Sequence, residues 1–168
     1  HGQSVFRQYV RLYEGSRAGR IDFYNEVDWQ TENALLKAEF PLNVENEKAT
    51  YDLGLGSIQR GNNVQTAYEV YAHQWADLTA DNGSYGVSVL NDCKYGISAL
   101  NSELALTLHR GGTRPDESGD AGVHECTYSV LPHGAFDTQS VICPAYELNV
   151  PAVAHAGSAS EKTLNDGA

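Results

Sequence analysis

Gly86-Val-Ser-Val-Leu-Asn-Asp-Cys-Lys-Tyr-Gly96 runs a short apolar strand, Val87 to Leu90, straight into a polar turn that Gly96 closes. Strand-to-turn junctions of this kind are where a rigid scaffold presents functional side chains. That makes Asn91, Asp92, Lys94 and Tyr95 the first candidates for a binding or cleft-facing site. The same residues also suit a β-hairpin corner, because Asn and Asp bond their own backbone in turns and Gly supplies positive φ. On either reading the stretch is a strand ending in a tight turn.

The same pattern spreads outward from it. Upstream, Val5 to Tyr13 alternates and is punctuated by Glu14-Gly15-Ser16. Ile21, Phe23, Val27 and Trp29 fall at period two, with Asp22, Tyr24, Glu26 and Asp28 between them, which predicts a half-buried antiparallel strand. Leu36, Ala38, Phe40 and Leu42 repeat the pattern with Lys37 and Glu39 facing away, and Ala49 to Leu55 is a weaker third run. Gly61 to Thr66 is polar and unpatterned, a loop. Ala67 to Leu78, with the word His73-Gln-Trp-Ala-Asp-Leu78, fits a short helix, a 3₁₀ turn or a strand equally well. Asp81-Asn82-Gly83 is a turn leading into Gly86.

Downstream, Leu104, Leu106 and Leu108 alternate with Glu103, Thr107 and His109 before Gly111-Gly-Thr-Arg-Pro-Asp116 breaks the chain. Val123 to Leu131 reads as a strand with His124, Cys126, Tyr128 and Val130 on one face. Val141 to Val150 reads as a last strand, interrupted at Pro144 as on an edge or at a bulge. From Pro151 the chain loses all period, which divides it into a β domain over 1–151 and a linker or tail over 152–168. Closely spaced strands, many turns and no long amphipathic helix predict an all-β fold, an antiparallel β-sandwich.

Composition bounds the function. The 168 residues carry 11 basic and 22 acidic side chains, a formal charge of −11. That balance argues against nucleic-acid and anionic-membrane partners, both of which want a basic face. No apolar run approaches the roughly 18 residues needed to cross a bilayer, and the opening His1-Gly-Gln-Ser4 has no signal-peptide character. Three widely spaced cysteines, Cys93, Cys126 and Cys143, are not a disulfide framework and suit reduced thiols in a cytoplasmic compartment.

Candidate chemistry is sparse. His124 and Cys126, at i and i+2 on one face, invite a metal reading with His109, His133 or Cys143 as partners. A tetrahedral site needs three or four converging ligands, and no second pair has recognisable spacing. A surface histidine and a small core cysteine explain the pair more cheaply. Glu26 with Asp28, and Asp116, Glu117 and Asp120, offer the paired carboxylates of glycoside hydrolysis, but a chain this acidic yields such pairs by chance. There is no G-x-S-x-G elbow and no phosphate-binding glycine loop.

Several words in order carry a resemblance. Ile21-Asp-Phe-Tyr-Asn-Glu-Val-Asp-Trp29, Leu35-Leu-Lys-Ala-Glu-Phe-Pro-Leu42 and Ala49-Thr-Tyr51 come first. His73-Gln-Trp-Ala-Asp-Leu78, the Gly86–Gly96 stretch, Leu104-Ala-Leu-Thr-Leu108 and Arg114-Pro-Asp116 follow. His124-Glu-Cys-Thr-Tyr128, Leu131-Pro-His133 and Ala145-Tyr-Glu-Leu-Asn149 complete the set. Together they resemble the C-terminal β region of the family 38 α-mannosidases, nearest the cytosolic and vacuolar class and its bacterial relatives.

The resemblance implies a piece of a larger multidomain enzyme, a retaining exo-glycosidase acting on α-linked mannose. The family's zinc, its two His and two Asp ligands and its Asp nucleophile belong to an N-terminal α/β barrel. No catalytic residue, and no cofactor, is therefore carried over to this chain. The implied partners are that barrel and mannose-containing glycans, with homo-oligomers open and a vacuolar or lysosomal-type compartment as the other location. In that setting the Asn91–Gly96 turn faces the cleft or the domain interface. Asn91 or Asp92 then bonds a sugar hydroxyl or steadies a barrel loop, and Lys94 and Tyr95 make the contact; His124 and His133 are further interface candidates. A domain of this kind is expected to leave an apolar face uncovered. Two other readings compete: a free-standing carbohydrate-binding module that stacks sugars on Tyr and Trp, and a self-contained enzyme with His124 and Cys126 at a metal.

Overall fold

In the computed structural model, which describes residues 3–15, 19–64, 68–117, 119–154 and 156, the alternating segments assemble into two antiparallel sheets of unequal width. The wide sheet has seven strands. Its order is β1 (Val5–Leu12), β2 (Ile21–Trp29), β11 (Gly122–His133), β8 (Gly86–Asn91), β7 (Trp75–Thr79), β4 (Lys48–Asp52) and β5 (Ser57–Gly61). The narrow sheet runs β3 (Leu35–Pro41), β10 (Glu103–Arg110), β9 (Gly96–Leu100) and β6 (Val70–Tyr71). The predicted antiparallel sandwich is the observed architecture.

The main core lies between the sheets, where Tyr51, Leu78, Val89, Ile97, Leu104 and Leu106 are almost wholly buried. The narrow sheet cannot cover all seven strands of the wide one. Every residue of β1 is exposed, including Phe6 at 44%, Val10 at 57% and Leu12 at 75%. Beneath this overhang a polar contact replaces apolar packing. Gln8 Nε2 donates to Asn25 Oδ1 and to the Tyr128 hydroxyl, both at 2.8 Å.

The segment Val141–Val150 corrects the sequence reading, because it is helical rather than a strand. A π-helical turn at Thr138–Ile142 leads into α1, Cys143–Asn149. Asp137 starts it by accepting the Ser140 N–H at 2.7 Å while Ser140 Oγ accepts the Asp137 N–H at 3.0 Å, a reciprocal capping box. Pro144 falls in the first turn of α1, where its missing N–H has no partner to lose. Val141 and Ala145, four apart, are buried with Leu148 against Trp75, Leu90 and Leu131. This second core covers the reverse face of the wide sheet.

Smaller differences have local causes. Described residues of the ambiguous Ala67–Leu78 stretch form β6 and β7. The weak run Ala49–Leu55 pairs only as far as Asp52; Leu53 and Leu55 then turn outward in a bend closed by Leu53 N–H on Gly56 O at 2.8 Å. Strands β5 and β9 have no sequence counterpart in the reading above. Ser16, Gln65, Thr66, Ala67 and most of the tail lie outside the described residues.

Candidate functional site

The Asn91–Gly96 turn is built around one inward side chain. Asn91 is 2% exposed. Its Nδ2 donates to His73 O at 3.0 Å, its Oδ1 accepts the Lys94 N–H at 2.8 Å, and its backbone N–H donates to Gln74 O at 2.9 Å. Its carbonyl accepts Asn149 Nδ2 at 2.9 Å. One residue thus ties the end of β8 to the lead-in of β7, to its own turn and to α1. Asp92 stitches the turn to β11: its N–H donates to Thr127 O at 3.1 Å and its Oδ2 accepts the Thr127 N–H at 2.8 Å. Cys93 is exposed at the surface, and partial desolvation with the Asp92 carboxylate beside it pushes its thiol up to about 12.

What remains outward is Cys93 and Tyr95, both exposed, and Lys94, half-buried. The Tyr95 ring lies 5.9 Å from His73 at an interplanar angle of 23°, and 5.9 Å from Tyr71. This end of the sandwich therefore offers an ammonium group and a cluster of aromatic rings, with the Asn91 amide spent on the fold.

Lys94 also lines a cavity of about 220 Å³ with Thr107, His109, Asp120 and His124. The His109 and His124 rings are 4.4 Å apart, and both Nε2 atoms donate to Asp120 O, at 3.0 and 2.7 Å. Burial holds His109 below the usual imidazole range. The metal reading does not assemble. These two Nε2 atoms are hydrogen-bond donors, Cys126 is buried in the main core, and His133 sits on the reverse face of the wide sheet. Among the described residues no group of three or more His, Cys, Asp or Glu could hold a metal ion.

The reverse face holds polar clusters that the sequence reading missed. Asp77 Oδ2 accepts Ser88 Oγ and His133 Nε2, both at 2.7 Å, and Thr79 Oγ1 donates to Asp77 Oδ1 at 2.6 Å. A catalytic triad places the acid on one ring nitrogen and the serine on the other. Here both meet Nε2, while Nδ1 donates to Gly134 O at 2.9 Å. Both ring nitrogens face acceptors, an arrangement that favours the protonated imidazole beside Asp77, their side chains 3% and 1% exposed. Burial disfavours that charge, but the Asp77 bond outweighs it and the His133 pKa is raised. Nearby, Asp22 accepts Arg20 Nη2 at 3.0 Å and Ser129 Oγ at 2.6 Å. Only Ser88, a lone polar residue between apolar neighbours in β8, signalled these clusters; Asp22 and Ser129 stand among other polar residues of β2 and β11.

The other candidates disperse. Glu26 stands opposite Glu125 across the β2–β11 ladder, and Asp28 accepts Gln30 Nε2 at 2.7 Å. Trp29 and Trp75 are 7% and 3% exposed, which counts against a stacking platform built on tryptophan.

Comparison with known proteins follows the same line. The glycosyl hydrolases family 38 C-terminal domain matches residues 1–118. Over 140 residues the chain is 42% identical to alpha-mannosidase 2C1 of Homo sapiens, covering 80% of this chain and 13% of that protein. Over 153 residues it is 34% identical to an alpha-mannosidase of Saccharomyces cerevisiae, covering 88% of this chain and 14% of that one. A crystal structure of an alpha-mannosidase from Enterococcus faecalis V583 shares the fold over 84% of this chain and 18% of its own, with a TM-score of 0.71 at 17% identity.

Proposed function

This chain belongs to the glycosyl hydrolase family 38 C-terminal domain family, and on that premise we propose that it serves a longer α-mannosidase as its C-terminal β-sandwich. In this reading the parent enzyme hydrolyses terminal α-linked mannose with retention. The sandwich braces the catalytic barrel, and its Asn91–Gly96 end is turned toward the sugar cleft. The observation that supports the orientation is the division of labour within the turn. Asn91 and Asp92 are bonded into the fold, leaving Lys94 and Tyr95 to meet a barrel loop or a glycan hydroxyl. The uncovered apolar side chains of β1 supply a separate surface for packing against the rest of the enzyme.

Retaining hydrolysis needs two carboxyl groups flanking the scissile bond, and none is assigned to this chain, which spans about 13% of the length of relatives named as α-mannosidases. The zinc that the resemblance gives to the catalytic part likewise finds no fitting donor set among the described residues, so no step passes through it here. The three free thiols suit a reducing, cytoplasmic setting, and no helix among the described residues is long and apolar enough to cross a membrane.

The test is hydrolysis of an aryl α-mannoside by the longer enzyme carrying Lys94→Ala and Tyr95→Ala. A fall in kcat/KM of about tenfold or more, with the melting temperature held, supports a cleft-facing turn; each tenfold is about 1.4 kcal/mol of lost transition-state binding. Full activity in the double variant sinks that orientation.

A further inference from the structure

The end of β2 and the loop after β10 enclose a second cavity, of about 190 Å³, which shares Asp120 with the one lined by Lys94. One wall is Trp29. This residue is 7% exposed, yet its indole N–H has no acceptor among the described residues. Buried donors are almost always satisfied, so an orphan on a residue that lines a cavity calls for a ligand or a water. Gly111 forms the adjoining wall. A Cβ there would stand 2.9 Å from Trp29 Nε1 and would run into Thr31 O, so only glycine keeps this approach open. Gln30, Glu32, Glu117 and Asp120 also line the space.

The donor set selects the ligand. An anion would be drawn to the indole N–H but repelled by the Glu32, Glu117 and Asp120 carboxylates. A cation would suit the carboxylates but leave the indole N–H unpaired. A hydroxyl accepts and donates at once, and two adjacent hydroxyls reach both kinds of partner. The cavity, about 190 Å³, has room for a small polar ligand such as one sugar ring.

We propose that this cavity binds a single pyranose unit, with neighbouring hydroxyls bridging the Trp29 indole N–H and the carboxylates of Glu32 and Asp120. It is then a sugar subsite beside the cleft-facing turn. The choice of mannose rests on the proposed function; the polyol chemistry rests on the cavity alone.

The experiment uses the indole N–H as reporter. With two tryptophans in the chain, the ¹H–¹⁵N spectrum holds two indole resonances, assigned with Trp75→Phe. Titration with methyl α-D-mannopyranoside should move the Trp29 resonance downfield and saturably while Trp75 stays put. Glycerol at matched concentration should leave both in place. Glu32→Gln and Asp120→Asn should each weaken binding roughly tenfold, as the loss of a charge-assisted hydrogen bond predicts. A saturable shift with methyl α-D-glucopyranoside alone would uphold the pyranose site and count against the mannose reading. No shift of Trp29 with either sugar would overturn the site. So would a shift that glycerol matches, or one that ignores both carboxylate variants.

Discussion

Lys94 and Asn91 stand three residues apart in one turn and predict opposite behaviour on truncation. Asn91→Ala strips the acceptor of the Lys94 N–H and the donor to His73 O at a 2%-exposed site. Leaving those backbone groups unpaired should cost about 1–3 kcal/mol, read as a lower urea midpoint at unchanged slope. Lys94→Ala should stay within about 0.5 kcal/mol of the parent in the same assay. His133 sets a second, pH-dependent contrast. Its folded pKa is raised above the unfolded imidazole value by Asp77. The pair's contribution is therefore fully present below an unfolded pKa of about 6.5 and is lost as pH rises through the folded value. His133→Ala should cost about 3–5 kcal/mol in mild acid, since it strands a buried carboxylate. Melting curves across pH should show the gap to the parent narrowing on the alkaline side. A gap constant with pH would mean that the imidazolium carries none of it.

Among the elements, β8 shows how closely the reverse face is fitted. At Gly86 an added Cβ would lie 2.6 Å from Thr79 Oγ1, 2.9 Å from Thr79 Cα and 2.7 Å from His133 Cε1. Backbone is among those atoms, so Gly86→Ala must push strands apart, at about 1–3 kcal/mol of overpacking, visible as a lowered melting temperature. The same crowding explains what was legible in the sequence. Strand β2 showed its period because apolar Phe23, Val27 and Trp29 alternate with polar neighbours. Strand β7 did not, because Trp75, Ala76, Asp77 and Leu78 are all buried, two against the narrow sheet and two against the helical side. A strand covered on both faces has no polar phase to read. Segment α1 was hidden for another reason. It is only seven residues long, and its Pro144 carries the same letter whether it breaks an edge strand or opens a helix. The turn was legible as a corner, but which of its side chains pointed inward depended on His73, Asn149 and Thr127, all distant in sequence.

For the molecule as a whole, charge and chain order matter more than any single contact. A formal charge of −11 on 168 residues makes self-repulsion a standing cost. Added sodium chloride, from a few millimolar to a few hundred, should therefore raise the melting temperature as screening shortens the reach of those carboxylates. Chain order has its own effect. Strand β11 lies between β2 and β8, so the β1–β2 hairpin reaches the rest of the wide sheet only through a strand made much later. Asp22 and Ser129, which meet across that seam, are 107 residues apart. During synthesis the hairpin must wait with a raw edge and with Asp22 held by Arg20 alone, its Ser129 partner not yet made, the kind of non-local closure that folds slowly and invites mispairing. The stretch matched by the family ends at residue 118, short of β11 at Gly122–His133. A polypeptide stopped at 118 should then yield a loose hairpin beside an incomplete sheet, with a broad, non-cooperative melt. Strand β11, made after the other described strands, is the keystone of the wide sheet.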